Sequence, residues 1–142
     1  MKKTTISLFL IFVMLLTVLC GCSNSKDKPM KKYAGDWISD TKDEGYHYSF
    51  NISDTGELSM LYFENSDVVQ WDYKGTVSIE EIDGKKLMCF SLMLENRAYV
   101  GYYEFSGSRK KLTLTFYDGE HVFNTSELFN DGKVKIIKSK KK

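Results

Sequence analysis

Over residues 46–53 apolar and polar side chains alternate without a break. Tyr46, Tyr48, Phe50 and Ile52 are set against His47, Ser49, Asn51 and Ser53. A β-strand sends successive side chains to opposite faces, so this pattern specifies a strand with one apolar and one polar face and argues against an amphipathic helix. Asp54-Thr55-Gly56 then marks a turn. Six similar runs follow, at 58–64, 68–73, 76–82, 87–95, 98–105 and 112–117. Turn residues separate most of them: Asn65-Ser66-Asp67, Asp83-Gly84, Asn96 and Ser106-Gly107-Ser108, with Asp118-Gly119 after the last. Asp-Gly pairs suit the positive φ angles of tight hairpins. No long window carries the 3.6-residue period of a helix, and residues 125–130 read equally as a helical turn or another short strand. Short strands at regular spacing indicate an antiparallel meander. Seven to nine of them best avoid exposed edges by closing on themselves. The expected fold is all-β: a single antiparallel meander closed, or nearly closed, into a small barrel over residues 33–137.

Residues 1–21 do not read as part of that fold. Lys2 and Lys3 precede an apolar run from Ile6 to Cys20, interrupted mildly by Ser7 and Thr17. A short basic segment, an apolar run and small residues make a secretory signal peptide. The run is short of the roughly 20 apolar residues that span a bilayer, and an uncleaved anchor is the alternative. Leu19-Cys20-Gly21-Cys22 resembles the bacterial lipobox, with a Leu at −3 and a small residue at −1 before a cysteine. Cys20 as the acceptor would put Thr17 at −3 and bulky Leu19 at −1. The resemblance implies that Cys22 becomes the mature N-terminus and carries a diacylglyceryl thioether, with acyl chains such as palmitate. Two chains suffice for stable anchoring. Cys20 then leaves with the signal, and Cys89 is the only unmodified cysteine of the mature chain, so no intramolecular disulfide is expected. It stands in the apolar run 87–93 without a nearby cation to activate its thiol, and reads as a small packed side chain.

The total charge of +1 hides a segregation. Residues 22–32 form a polar, lysine-rich tether, and residues 133–142 carry six lysines and no acid, with 138–142 as a basic tail. Between these flanks, residues 33–132 hold eight Lys or Arg against eighteen Asp or Glu, a net charge of −10. A lysine-rich segment is either a solvated tail or one that lies on an anionic surface. The acidic body argues against a nucleic-acid partner.

The domain opens with Tyr33-Ala34-Gly35-Asp36-Trp37-Ile38. Gly-x-Trp at the start of the first strand resembles the hallmark of lipocalins and of shorter bacterial lipocalin-like domains. Tyr102-Tyr103-Glu104-Phe105-Ser106-Gly107, followed by Lys111-Leu112-Thr113-Leu114-Thr115 and Asp118-Gly119, is similar to the penultimate hairpin of that family. The resemblance implies a barrel whose closed end is plugged by Trp37. The longer lipocalins set a late arginine against this tryptophan. No arginine follows Arg109 here, and Lys133 or Lys135 is the expected substitute, although an ammonium does not stack on indole as a guanidinium does. Eight strands either enclose one small ligand or are filled by side chains.

Little in the chain suits catalysis. His47 and His121 are far apart, and His47 stands opposite the aromatic face of its strand, toward solvent. Glu80 and Glu81 are adjacent and point to opposite faces of a strand. No metal-ligand spacing, phosphate loop or nucleophile elbow is present. Neither an enzyme nor a cofactor is expected. Aromatics make up 14% of the residues. Trp37, Tyr46, Tyr48, Phe50, Trp71 and Tyr73 read mainly as core. Tyr99 and Tyr103 share one face of their strand, with Val100 and Tyr102 on the other. Trp37, Tyr48, Trp71, Tyr99 and Tyr103 are the candidate ligand or interface residues. The expectation is a lipid-anchored protein on the extracytoplasmic face of a cell membrane, leaning toward a Gram-positive source. Its non-catalytic lipocalin-like domain would take a small apolar molecule or a peptide, a cationic one included. The alternative is an immunity, protection or envelope-complex accessory lipoprotein that works through protein contacts.

Overall fold

The computed structural model describes residues 29–65 and 67–139. The signal peptide, the lipobox with Cys22, most of the tether and the last three lysines lie outside them. Eight strands run in chain order: β1 (Gly35–Ser39), β2 (Tyr46–Ile52), β3 (Glu57–Glu64), β4 (Val69–Ile82), β5 (Lys85–Leu94), β6 (Arg97–Gly107), β7 (Lys111–Phe116) and β8 (Lys133–Lys138). Each pairs antiparallel with its sequence neighbour, and β1 pairs with β8 to close the barrel. The expected meander and its closure are both present. Every edge is paired and one core fills the interior.

Alternation decides what is inside. Tyr48, Phe50 and Ile52 on β2, Leu58 and Met60 on β3, and Leu112 and Leu114 on β7 all belong to the core. Their neighbours Asn51, Glu57 and Lys111 are exposed. The runs at 68–73 and 76–82 are not two strands but the single β4, 14 residues long. The break suggested by Lys74-Gly75 is instead a close approach. A Cβ on Gly75 would stand 2.0 Å from the Ser91 carbonyl oxygen of β5, so only glycine lets the long strand stay paired there.

Because the strands form a meander, the β2–β3, β4–β5 and β6–β7 turns share one end with both termini of the described chain. Met30 and Tyr33 are buried in the core at that end, and Tyr33 meets Phe105 edge to face. Trp37 is 1% exposed, and its indole N–H donates to the Tyr33 carbonyl at 2.8 Å. Its cationic partner is not Lys133 or Lys135, as expected, but Lys138, whose Nζ lies 5.5 Å from the ring centroid. Register explains the difference. Lys138 pairs with Trp37, whereas Lys133 and Lys135 are exposed on the face opposite Val134 and Ile136.

The opposite end carries the β1–β2, β3–β4 and β5–β6 connections; the long segment from Tyr117 to Gly132 leaves β7 there, touches Asp83 of the β4–β5 turn through Tyr117 and His121, and returns to start β8. Residues 125–129 become neither strand nor helical turn, and Asn130–Gly132 forms a short 3-10 turn. The segment delivers Phe129 into the barrel, where its ring centroid lies 5.0 Å from that of Tyr103, 5.2 Å from Tyr48, and 5.8 Å from both Phe50 and Phe90. The interior is thus filled by side chains, with Phe129 as the hub.

A rim of aromatics at the open end

The inward-facing positions of β2, β3, β4 and β6 run out of core before they run out of strand. Tyr48 pairs with Tyr62, and Tyr62 with Trp71, across β2, β3 and β4. Tyr73 stands opposite Met60, and Tyr99 opposite Leu92. All therefore point to the inside, yet Tyr46, Tyr62, Tyr73 and Tyr99 are only partly buried, and they pack on the core from above. Trp71 is 47% exposed. The expectation that it is a core residue is corrected by its height on the strand: it is the last inward position before a bulge that offsets the pairing at Tyr62 and Phe63.

These rings touch in two groups. Tyr62 lies 6.3 Å from Tyr46 and 5.2 Å from Tyr48, and Tyr73 meets Tyr99 edge to face at 5.8 Å. Tyr48 and Phe129 floor the rim. The Ser39 hydroxyl, at the end of β1, accepts the Tyr48 N–H at 2.8 Å, and the Tyr48 hydroxyl accepts the Asn130 N–H at 3.4 Å. Burial pushes the Tyr48 hydroxyl up to about 12. Tyr46 is also raised to about 12, by desolvation and by its hydrogen bond to Glu44. Burial raises Tyr73 as well. These hydroxyls stay protonated at neutral pH; that of Tyr46 donates to Glu44 at 3.0 Å, and that of Tyr48, already accepting from Asn130, keeps its O–H as a donor.

Of the five candidate residues, the structure brings Tyr48, Trp71 and Tyr99 to this rim. Tyr103 is fully buried one layer deeper, where its hydroxyl accepts the Leu128 N–H at 2.9 Å. Trp37 belongs to the opposite end. Tyr46, Tyr62 and Tyr73 complete the rim and were not among the candidates. Strand parity gives their direction, but only the height of Phe129 shows where the packed interior stops. Exposed carboxylates stand about the opening at Glu44, Glu64, Asp67, Glu95 and Asp131, with Arg97 and Lys133 among them, while Asp72 is in an ion pair with Lys74 at 3.0 Å. Val68 and Val69, exposed at 65% and 42%, extend the apolar surface along the β3–β4 connection.

The other groups weighed from sequence stand apart. His47 stacks on Phe63 at 4.3 Å on the outer face. His121 contacts Asp83, which also accepts the Tyr117 hydroxyl at 3.0 Å. Cys89 is buried on the outer side of β5, paired with Ser78 and Tyr102, and burial together with the Glu80 charge pushes its thiol up to about 11. Among the described residues no three His, Cys, Asp or Glu side chains gather to hold a metal ion.

Fold and rim together define a small, closed, eight-stranded antiparallel barrel with an aromatic opening, the architecture that a lipocalin-like domain implies. No family model, curated protein or solved structure matches the chain.

Proposed function

We propose that this chain is a lipid-anchored, extracytoplasmic, non-catalytic binding protein that takes a cationic peptide at the open end of its barrel. The observation that carries the reading is the rim itself. Partly exposed tyrosines and Trp71 face a common opening and offer broad apolar contact with hydroxyl handles. The surrounding carboxylates favour a cationic partner and speed its encounter. A filled interior, with Phe129 at its centre, favours an occupant lying across the rim over a small apolar molecule enclosed in the barrel. The Cys22 lipobox and its signal supply the anchoring part of the reading.

A protective role against a membrane-active cationic peptide is the second reading, and the ring of acids favours it. In both readings the same surface does the binding. Trp71 is exposed and Trp37 is not, so fluorescence reports on the rim. Titration with an amphipathic lysine-rich peptide is expected to blue-shift the emission and shield it from acrylamide. Trp71→Ala should remove the signal, and Tyr99→Ala should weaken binding about tenfold. A lipid or other apolar ligand retained inside the barrel in native mass spectrometry, with no response to peptide, would overturn the peptide reading.

A further inference from the structure

The end of the barrel opposite the aromatic rim gathers six cations on the β7–β8–β1 side, with the acids Asp54, Glu57 and Asp83 standing apart on the β2–β3 and β4–β5 turns. Lys31 and Lys32 lie in the turn before β1. Arg109, Lys110 and Lys111 form the β6–β7 hairpin and the first residue of β7, and Lys138 ends β8. The fold brings these three segments together. The Lys110 carbonyl accepts the Lys138 N–H at 2.8 Å, Lys111 pairs with Ile137, and the Lys138 side chain passes over Gly35 and the Trp37 ring. Among the described residues, none of the six is in an ion pair with a carboxylate; the pairs present involve Lys74, Lys85 and His121. Asp36, the acid nearest in sequence, has a carboxylate oxygen that accepts the Asn51 side-chain amide at 2.6 Å. Lys32 lies over the Tyr33 ring and Lys138 over that of Trp37, but gathering cations without a carboxylate partner costs stability unless an anion is met there.

Two further facts say which anion. Both ends of the described chain leave from this cluster, and three more lysines follow at 140–142. Cys22 precedes Pro29 by seven residues, which reach at most about 25 Å even when fully extended. A lipid on Cys22 therefore holds this end, and not the rim, within that distance of the bilayer.

We infer that the basic end, formed by Lys31, Lys32, Arg109, Lys110, Lys111 and Lys138, docks on the anionic phospholipid headgroups of the membrane and holds the acidic rim outward. The inference rests on the Cys22 reading for its geometry, but the surface is testable without the lipid. The chain from residue 22 onward with Cys22→Ser retains the whole barrel. It is expected to co-sediment with vesicles of phosphatidylglycerol and phosphatidylcholine, and not with phosphatidylcholine alone. Binding should fall steeply between low and physiological salt. Each cation near such a surface contributes about fivefold, so replacing Arg109, Lys110 and Lys111 together by glutamine should weaken binding on the order of a hundredfold. Lys133→Gln, at the other end, should leave it unchanged. Circular dichroism of the triple variant confirms that the barrel is intact.

Equal binding to both vesicle types, or an unaffected triple variant, overturns the inference. Stronger binding to soluble poly(glycerol phosphate) than to vesicles overturns it too, and reassigns the surface to a wall polymer. Metabolic labelling of the full chain with radioactive palmitate reads the anchor separately. Labelling at Cys22 without vesicle binding refutes docking and leaves the anchor standing, whereas vesicle binding without labelling does the reverse.

Discussion

The Tyr103 hydroxyl accepts a hydrogen bond from the Leu128 N–H at 2.9 Å inside the barrel. One side chain on β6 thereby fastens the long segment that brings in Phe129. The same hydroxyl lies beneath the rim, so the fold's interior and its opening share a support.

Tyr103→Phe keeps the ring and its packing but leaves a buried N–H without a partner. The expected cost is about 1–3 kcal/mol, read as a lower urea midpoint. Tyr99→Phe, at the rim, should be close to neutral. Phe129→Ala should cost more, about 3–5 kcal/mol, because four aromatic neighbours lose their common contact. If Phe129→Ala and Tyr99→Phe melted alike, the hub assignment would be wrong.

Alkaline pH should unfold the domain from within. Tyr48 is pushed up to about 12 from an ordinary value of 10, and Tyr103 is raised further, chiefly by burial. Above pH 10 the unfolded chain releases these protons while the folded chain retains them. The unfolded state then binds fewer protons, so stability falls as pH rises. The contribution is whole below pH 10 and is lost progressively as pH climbs through 12. Urea midpoints at pH 8, 10 and 11 should be level and then decline, and Tyr48→Phe should flatten part of the decline.

Cys89 should be a silent thiol. Its pKa of about 11 and its burial leave almost no thiolate at pH 8. Ellman's reagent is expected to label the native chain with Cys22→Ser slowly, and the same chain in denaturant at once. Rapid native labelling would contradict the burial of Cys89 on β5.

Gly75→Ala tests the close approach of β4 and β5. With the Ser91 carbonyl oxygen 2.0 Å from where the new Cβ would go, the two strands must part. A loss of several kcal/mol is expected, far beyond the roughly 1 kcal/mol range of strand propensity. Gly84→Ala makes the contrast. The new methyl meets nothing within 4 Å, and only the positive φ of the turn resists it.

Much of the fold was legible in the residues. The alternation of β2 fixes which of its faces is buried, and the Asp83-Gly84 turn joins β4 to β5 as expected. What escaped has a common cause. Period two tells which way a side chain points but not how high it stands along the barrel, so Phe50 and Trp71 read alike although Phe50 is in the core and Trp71 at the rim. Phe129 lies in irregular chain, where no period exists to announce burial. Lys138 displaces Lys133 and Lys135 as the neighbour of Trp37 because the register of β1 against β8 is settled by barrel closure, a long-range property.

Since β1 and β8 are neighbours, the two chain ends can be stitched together and the ring of strands reopened elsewhere. A circular permutant cut at Glu95-Asn96 would keep every strand pair but begin beside the aromatic opening. Given a leader and lipidation site of its own, it would hang upside down, with tyrosines toward the lipid and lysines toward the medium. A protein that works only one way up would fold and fail.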